Sequence, residues 1–325
     1  MTFDPAYPRP LVLAGPTAVG KSEVALRLAE ALPGEIISVD SMQVYRGMDI
    51  GTAKPSAPQR ARVPHHLIDV VEVNEPFDAA QFARLARPLV EKIQSRGRTP
   101  ILCGGTGLYF KALFEGLGHA PPGSAILRAE LEKAPLSDLL SELAARDPVT
   151  YERIDRQNPR RVLRAVEVIR LTGRPFSDQR AAWGCDAGNA HEAPPAFGLT
   201  RSSSDLRERI DARVEEMFRR GLVSETQDLI ERGLGRNPTA MQALGYRQVA
   251  ELLRGERSLS ETIALVKIRT RQFARRQMTW FRHQLQLRWI TLEPQASIGA
   301  ATQTIAAEYY SLNSSHSGSL AKIQR

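Results

Sequence analysis

The chain has 325 residues, 42% of them hydrophobic and 25% charged, which allows a sizeable buried core arranged as one domain with an insertion or as two domains. An excess of 44 Lys and Arg over 36 Asp and Glu gives a formal net charge of +8 and favours a polyanionic partner. The two cysteines, Cys103 and Cys185, lie far apart with no C-x-x-C spacing, which argues against a zinc site or a disulfide framework.

In chain order, residues 1–10 carry prolines where a signal peptide would need an apolar run, and nothing downstream approaches the roughly 20 apolar residues of a membrane span. A cytoplasmic protein with no membrane contact is expected. Residues 9–14 (RPLVLA) form a short apolar run that ends in a glycine turn, and 22–32 continue with Ala and Leu at helical spacing, hence strand, loop, helix. A second strand is predicted at 35–39 (EIISV), ending at Asp40, and a third at 99–103 (TPILC), running into Gly104-Gly105-Thr106-Gly107. Residues 66–71 and 196–200 are weaker strand candidates. Short apolar strands alternating with amphipathic helices predict a parallel sheet covered by helices.

From about Leu117 the character changes. Pro121-Pro122-Gly123 breaks the chain, helical Arg-rich segments run to about Gly173, and a Gly/Ala/Pro-rich stretch follows to Pro195. A helical insertion over 118–195 is therefore expected within a core formed by 9–117 and 196–292. Long helices follow, one with Leu206, Ile210, Val214 and Met217 on a single face and one over 259–283. The tail, 312–325, is Ser-rich with few large apolar groups and is expected to be disordered.

Gly15-Pro16-Thr17-Ala18-Val19-Gly20-Lys21-Ser22 matches G-x-x-x-x-G-K-[ST] between a predicted strand and a predicted helix. The fold class that follows is α/β with a P-loop NTPase-like core. Backbone N–H groups of such a loop curl around phosphate oxygens, the helix N-terminus adds positive potential, Lys21 supplies a point charge and Ser22 can ligate Mg²⁺. Kinases, GTPases, ATPases and some transferases with a diphosphate leaving group all use the loop, and fold alone does not choose among them. The chain contains no N-K-x-D guanine signature.

Asp40 ends the second strand, at the sheet edge where ligands of open α/β folds gather. Its type and place fit a general base, a cap for the following turn, or a water-mediated partner of Mg²⁺. His65 and His66, adjacent on an extended segment, point to opposite faces and make no metal pair. Cys103 reads as a buried strand residue.

GPTAVGKS at 15–22, DSMQVYRGMDIGTAKP at 40–55 and PHHLID at 64–69 resemble the tRNA dimethylallyltransferases, also called tRNA isopentenyltransferases. GGTGLYFKAL at 104–113, RRVLRAVEV at 160–168, RIDARVEEM at 209–217, ALGYRQ at 243–248 and TRQFARRQMTWFR at 270–282 extend the resemblance, in order, over about 10–290. DSMQVY is the most specific element, because generic phosphate-loop kinases lack it. The resemblance implies transfer of a dimethylallyl group from dimethylallyl diphosphate to N6 of the adenosine immediately 3′ of the anticodon (A37). It also implies an anticodon stem-loop held between core and insertion, with the target base flipped out. By the same resemblance Asp40 accepts the N6 proton, the Thr17 hydroxyl bonds a diphosphate oxygen, and Lys21 with Arg213 neutralises the leaving group.

For tRNA, the resemblance implies contacts from Asp40, Ser41, Met42 and Gln43, from Thr106 and Arg128, and from the run Arg160, Arg161, Val162, Leu163 and Arg164. It adds Gln242 and Arg247, and on the C-terminal helix Arg271, Arg275, Arg276 and Arg282. Where relatives commonly read N-D-P-Q-R, this chain has Gln157-Asn158-Pro159-Arg160-Arg161, and an arginine at 160 favours phosphate contact over base reading. Residues 271, 275 and 282 fall on one helical face with Phe273, Trp280 and Phe281 interleaved, a pattern that serves RNA stacking or simple core packing equally. Mg²⁺ is the expected cofactor and a monomer the expected state. The competing readings are a phosphate-loop kinase of a small nucleotide or metabolite with a basic lid, an isopentenyltransferase acting on free AMP, and a noncatalytic RNA-binding module.

Overall fold

The computed structural model describes residues 7–181, 193–293 and 298–320, the side chains of 314–320 excepted. Two compact units divide the chain, one of Met1–Leu113 with Asn189–Arg325 and one of Phe114–Gly188. The expected boundaries of the insertion, 118–195, lie a few residues inside the first junction and beyond the second. Half of its expected Gly/Ala/Pro-rich end, with Cys185, lies outside the described residues.

The larger unit runs β1 (Leu11–Ala14), α1 (Lys21–Ala31), β2 (Gly34–Val39), α2 (Ala57–Arg62), β3 (His65–His66), α3 (Ala79–Gln94), β4 (Thr99–Gly104) and α4 (Gly107–Phe114). After the smaller unit it resumes with β5 (Ala196–Thr200), α9 (Ser203–Arg219), α10 (Leu222–Glu231), α11 (Tyr246–Leu253), α12 (Leu259–Gln284), β6 (Arg288–Thr291) and α13 (Ile298–Leu320). The strands form one six-stranded sheet in the order β3-β2-β4-β1-β5-β6, and every pairing is parallel. Parallel strands need covered faces, and β1, β2 and β4 are buried along their whole length. Leu11, Leu13, Ile36, Ile101, Phe197 and Leu199 pack with α1 and α13 in one cluster. Val12, Ile37 and Leu102, of opposite parity, are equally buried.

Two elements differ from expectation. The strand predicted over 66–71 is confined to His65–His66, beyond which Leu67 and Asp69 have positive φ and break the extended backbone. Helix α13, where no element was predicted, runs from Ile298 to Leu320 and so overlaps the first part of the tail expected from 312. Ala301, Ile305 and Tyr309, spaced by four, lay a buried stripe against α1, and the Tyr309 hydroxyl donates to Arg9 O at 2.6 Å. Residues 321–325 lie outside the described residues.

The smaller unit holds α5 (Ala125–Leu131), α6 (Leu136–Arg146), α7 (Pro148–Arg153) and α8 (Pro159–Thr172) around its own core of Leu131, Leu139, Leu143, Val162, Ala165, Val166 and Ile169. Pro159 starts α8 and Gly173, at φ +71°, ends it. Buried Asp147 caps α7 through Thr150 N at 3.0 Å and accepts from Ser177 N at 2.8 Å, tying the unit's last segment to its middle.

If α13 closes the core as its stripe indicates, Ile305→Ala, which empties a fully buried site, lowers unfolding stability by about 2–4 kcal/mol in chemical denaturation.

Candidate active site

The carboxyl ends of β1, β2 and β4 meet at one edge of the sheet and carry the phosphate loop, Asp40 and Gly104-Gly105-Thr106 respectively. Gly15 opens the loop at φ +151°, where an added Cβ would sit 2.7 Å from Leu199 O of the neighbouring strand. The loop is held by side chains distant in sequence. Thr17 N donates to Gln277 Oε1 at 2.8 Å, Arg209 Nε donates to Ala18 O at 3.0 Å, and Arg201 Nε to Val19 O at 2.8 Å. Ala18, at φ +64°, adopts a conformation disfavoured for a residue with a Cβ, and the bonds on either side fix it. Lys21 Nζ donates to Gly15 O at 2.9 Å and Pro16 O at 2.8 Å, curling the loop over its own lysine.

Asp40 Oδ1 accepts from Met42 N at 2.8 Å and Gln43 N at 3.3 Å, so the carboxylate does cap the turn that follows. Oδ2 has no hydrogen bond among the described residues and leaves the group an acceptor in hand. Ser41 N donates to Thr106 Oγ1 at 3.0 Å, joining this turn to the one after β4. Gln43 is taken up internally: Ser38 Oγ donates to its Oε1 at 2.8 Å, and its Nε2 donates to Thr52 O at 3.2 Å.

These groups line a cavity of about 430 Å³ with Thr17, Lys21, Ser22, Asp40, Thr106 and Arg213 on its polar walls. Ile68, Val214, Met217, Leu244, Val266 and Phe273 supply apolar ones. Arg213 reaches it because Ile210 and Val214, on either side, are buried and fix the face α9 presents. Its Nε is sealed from water with no hydrogen-bond partner among the described residues. Burial lowers the Arg213 pKa from the usual arginine value, with Asp40 opposing and Arg209 adding to the shift. Burial also lowers the Lys21 ammonium to about 8, opposed by Cys103, reinforced by Arg213 and opposed by Asp40. The Cys103 thiol, buried on β4, is pushed up to about 11 and stays protonated at neutral pH. Cations desolvated around a loop of backbone donors make a site for a multiply charged anion.

The other predicted residues lie on the smaller unit and on the C-terminal helices of the larger one. Arg128 and Arg164 both pair with fully buried Glu167, at 3.0 and 2.6 Å. Arg161 is exposed on the first turn of α8, and Arg160 beside it is also exposed. Val162 is fully buried and Leu163 packs on the same helical core, so the expected RNA contact does not extend to the Val162 side chain. Its apolar neighbours in that core outcompete solvent for it. Gln242 and Arg276 line the cavity, the Arg276 guanidinium 5.9 Å from the Phe273 ring. Arg247 pairs with Glu251 at 3.2 Å, and Arg275 and Arg282 are exposed on α12. Arg271 pairs with Asp211 of α9 at 3.0 Å and so braces two helices. Gln277, Arg201 and Arg209 were not singled out from the sequence. Gln277 lies 260 residues from the loop it binds, a pairing no local pattern carries.

The low Lys21 pKa fixes a pH dependence. A lysine protonated below about 8 attracts the anion and loses that attraction above it. Affinity for a diphosphate monoester, which gains no charge above pH 8, should fall about tenfold between pH 7 and 9 by calorimetry. Lys21→Arg should flatten the profile.

The family model described as IPP transferase matches residues 43–284. A tRNA dimethylallyltransferase 1 of Trichlorobacter lovleyi is 45% identical over 92% of this chain and 99% of its own length. A tRNA dimethylallyltransferase of Pelotomaculum thermopropionicum is 42% identical over 91% and 95%. The crystal structure of a full-length tRNA isopentenylpyrophosphate transferase from Bacillus halodurans superposes with a TM-score of 0.71 at 36% identity, covering 96% of this chain and 98% of that one. A eukaryotic dimethylallyltransferase captured acting on tRNA superposes with a TM-score of 0.73 at 25% identity, over 91% and 77%. With the match spanning the phosphate loop's partners from Gln43 to the end of α12, the chain belongs to the IPP transferase family.

Proposed function

We propose that the chain transfers a dimethylallyl group from dimethylallyl diphosphate to N6 of the adenosine immediately 3′ of the anticodon in tRNA, releasing diphosphate. The observation that carries this reading is the shared cavity, in which the phosphate loop and Arg213 face Asp40 across apolar walls. Those walls suit a branched hydrocarbon and the face of a base.

In the reaction the N6 lone pair forms a bond to C1 of the dimethylallyl group as the C1–O bond breaks and its electrons leave with diphosphate. Asp40 accepts the N6 proton, through the oxygen its turn leaves unused. Lys21, Arg213 and the Thr17 hydroxyl meet the charge that grows on the departing diphosphate. An exocyclic amine is a weak nucleophile, so alignment of N6 with C1 carries much of the rate.

Magnesium fits the donors present. Ser22 brings a hard oxygen ligand to the cavity, and among the described residues no group of three or more His, Cys, Asp or Glu gathers that would hold the ion alone. Mg²⁺ prefers such partial sites, completed by phosphate oxygens and water. Bound there, the ion supplies positive charge to the diphosphate.

For tRNA, the target base enters near Asp40, Ser41, Met42, Gln43, Thr106 and Gln242. The Arg271, Arg275, Arg276 and Arg282 side chains of α12, Arg247 of α11, and Arg128, Arg160, Arg161 and Arg164 of the smaller unit take the backbone phosphates. Among the described residues no helix is long and apolar enough to cross a membrane. A cytoplasmic monomer completes the reading.

The test is transfer of labelled dimethylallyl diphosphate to unmodified tRNA with Mg²⁺ and no ATP, with AMP as a parallel acceptor. Label on tRNA is expected; label on AMP alone, or ATP consumption without transfer, would replace this reading with one of its competitors. Asp40→Ala should lower kcat by about 10²- to 10⁴-fold with dimethylallyl diphosphate binding within a few-fold of the parent. Unchanged turnover would remove Asp40 from its role.

A further inference from the structure

Gln277 occupies an unusual place on α12. Its side chain is 8% exposed and reaches away from the exposed arginines beside it, into the edge of the sheet. There Oε1 accepts from Thr17 N at 2.8 Å and Nε2 donates to Gly105 O at 2.9 Å. One partner is a donor and the other an acceptor, and a primary amide is the side chain that serves both at once. A carboxylate lacks the donor and an ammonium lacks the acceptor. A Cβ on Gly105 would fall 2.4 Å from Nε2, so the glycine leaves the room the amide fills.

The same turns of α12 are seated firmly. The Trp280 ring packs where a Cβ of Gly107 would stand, 2.1 Å away, and Phe281, fully buried, meets the Phe110 ring edge-on at 6.3 Å. Gln277 therefore projects from a rigid base. The two backbone groups it joins belong to two different segments that line the cavity, the loop after β1 and the turn after β4. Thr17 lies in the loop that receives the anion. Gly105 precedes Thr106, whose hydroxyl accepts from Ser41 N beside Asp40. One amide thus spans from the loop holding the leaving group to the turn holding the base.

We propose that Gln277 is a positioning residue for the transfer reaction, setting the spacing between Thr17 and the Asp40–Thr106 turn through the two backbone groups it bridges. The proposal rests on the dimethylallyl transfer reading above. Losing the bridge lets the two segments drift, and a displacement on the order of 1 Å costs alignment far more than binding.

The experiment compares Gln277→Leu, which keeps size and loses both bonds, with Gln277→Glu, which keeps an acceptor for Thr17 N and loses the donor to Gly105. Gly105→Ala attacks the same bridge from the other side. Steady-state transfer and tRNA affinity by filter binding are measured on each folded protein. Gln277→Leu and Gly105→Ala should each lower kcat by about 10- to 100-fold with the tRNA Kd within about threefold of the parent, and Gln277→Glu should fall between them and the parent. A kcat within twofold of the parent in either Gln277→Leu or Gly105→Ala would overturn the proposal. So would a loss of tRNA affinity that accounts for the whole fall in kcat/KM, since Gln277 would then be an RNA contact. The parent enzyme in the same assay separates the cases: a parent that transfers nothing defeats the reaction itself, whatever the variants do.

Discussion

Lys21 and Arg213 are cationic side chains held away from water around a single carboxylate, Asp40, and the rest of the structure is arranged to tolerate that imbalance. Burial lowers the pKa of both cations. Removing charge from water costs several kcal/mol per ion when no partner compensates, so the pocket is least comfortable when empty. In the proposed reaction the diphosphate of the donor supplies the missing negative charge. The same desolvation strengthens every attraction inside the cavity, so a charge that moves from C1–O onto diphosphate is met by dipoles and cations already in position.

Holding such a site open takes scaffolding that does not touch the substrate. The phosphate loop is pinned by Arg201, Arg209 and Gln277 through Val19, Ala18 and Thr17. Arg201 in turn pairs with Asp205 at 2.7 Å, with its own side chain almost fully buried. On the opposite wall, Glu225 accepts from Ile50 N at 2.8 Å and from the Tyr246 hydroxyl at 2.6 Å, fixing the 49–51 segment that reaches the cavity. Glu225, Asp205 and Gln277 all come from the C-terminal helices, so the second half of the chain serves to shape a site whose reactive groups are mostly in the first.

The distribution of these roles explains what was legible in the sequence. The phosphate loop and the Asp40 turn are each written in a few consecutive residues, because close backbone approach needs Gly15 and Gly20 and the sheet edge needs a strand just before each. The parallel sheet followed from the same short apolar runs. Strand β6 did not, since RWIT is mostly exposed and pairs with β5 alone. The α13 stripe of Ala301, Ile305 and Tyr309 is readable at helical spacing, but the Ser-rich sequence after it drew attention to disorder. Within 160–164, motif resemblance assigned one role to five neighbouring residues, whereas the 3.6-residue period of α8 sends Val162 into the core and leaves Arg161 outside. Arg271 fell on a basic helical face in the sequence, and its pairing with Asp211, 60 residues earlier, could not be read from that helix. Long-range polar pairings of this kind are the part of a site that local pattern cannot carry.

The central claim, that this cavity prenylates one adenosine of tRNA, is tested most directly by chemical analysis of the product. Unmodified tRNA incubated with the protein, dimethylallyl diphosphate and Mg²⁺ would be cut to oligonucleotides and nucleosides for mass spectrometry. The account predicts a single adenosine heavier by one C₅H₈ unit, substituted at N6 and located immediately 3′ of the anticodon. Unmodified tRNA, or a prenyl group at another base or at a ribose, would contradict it.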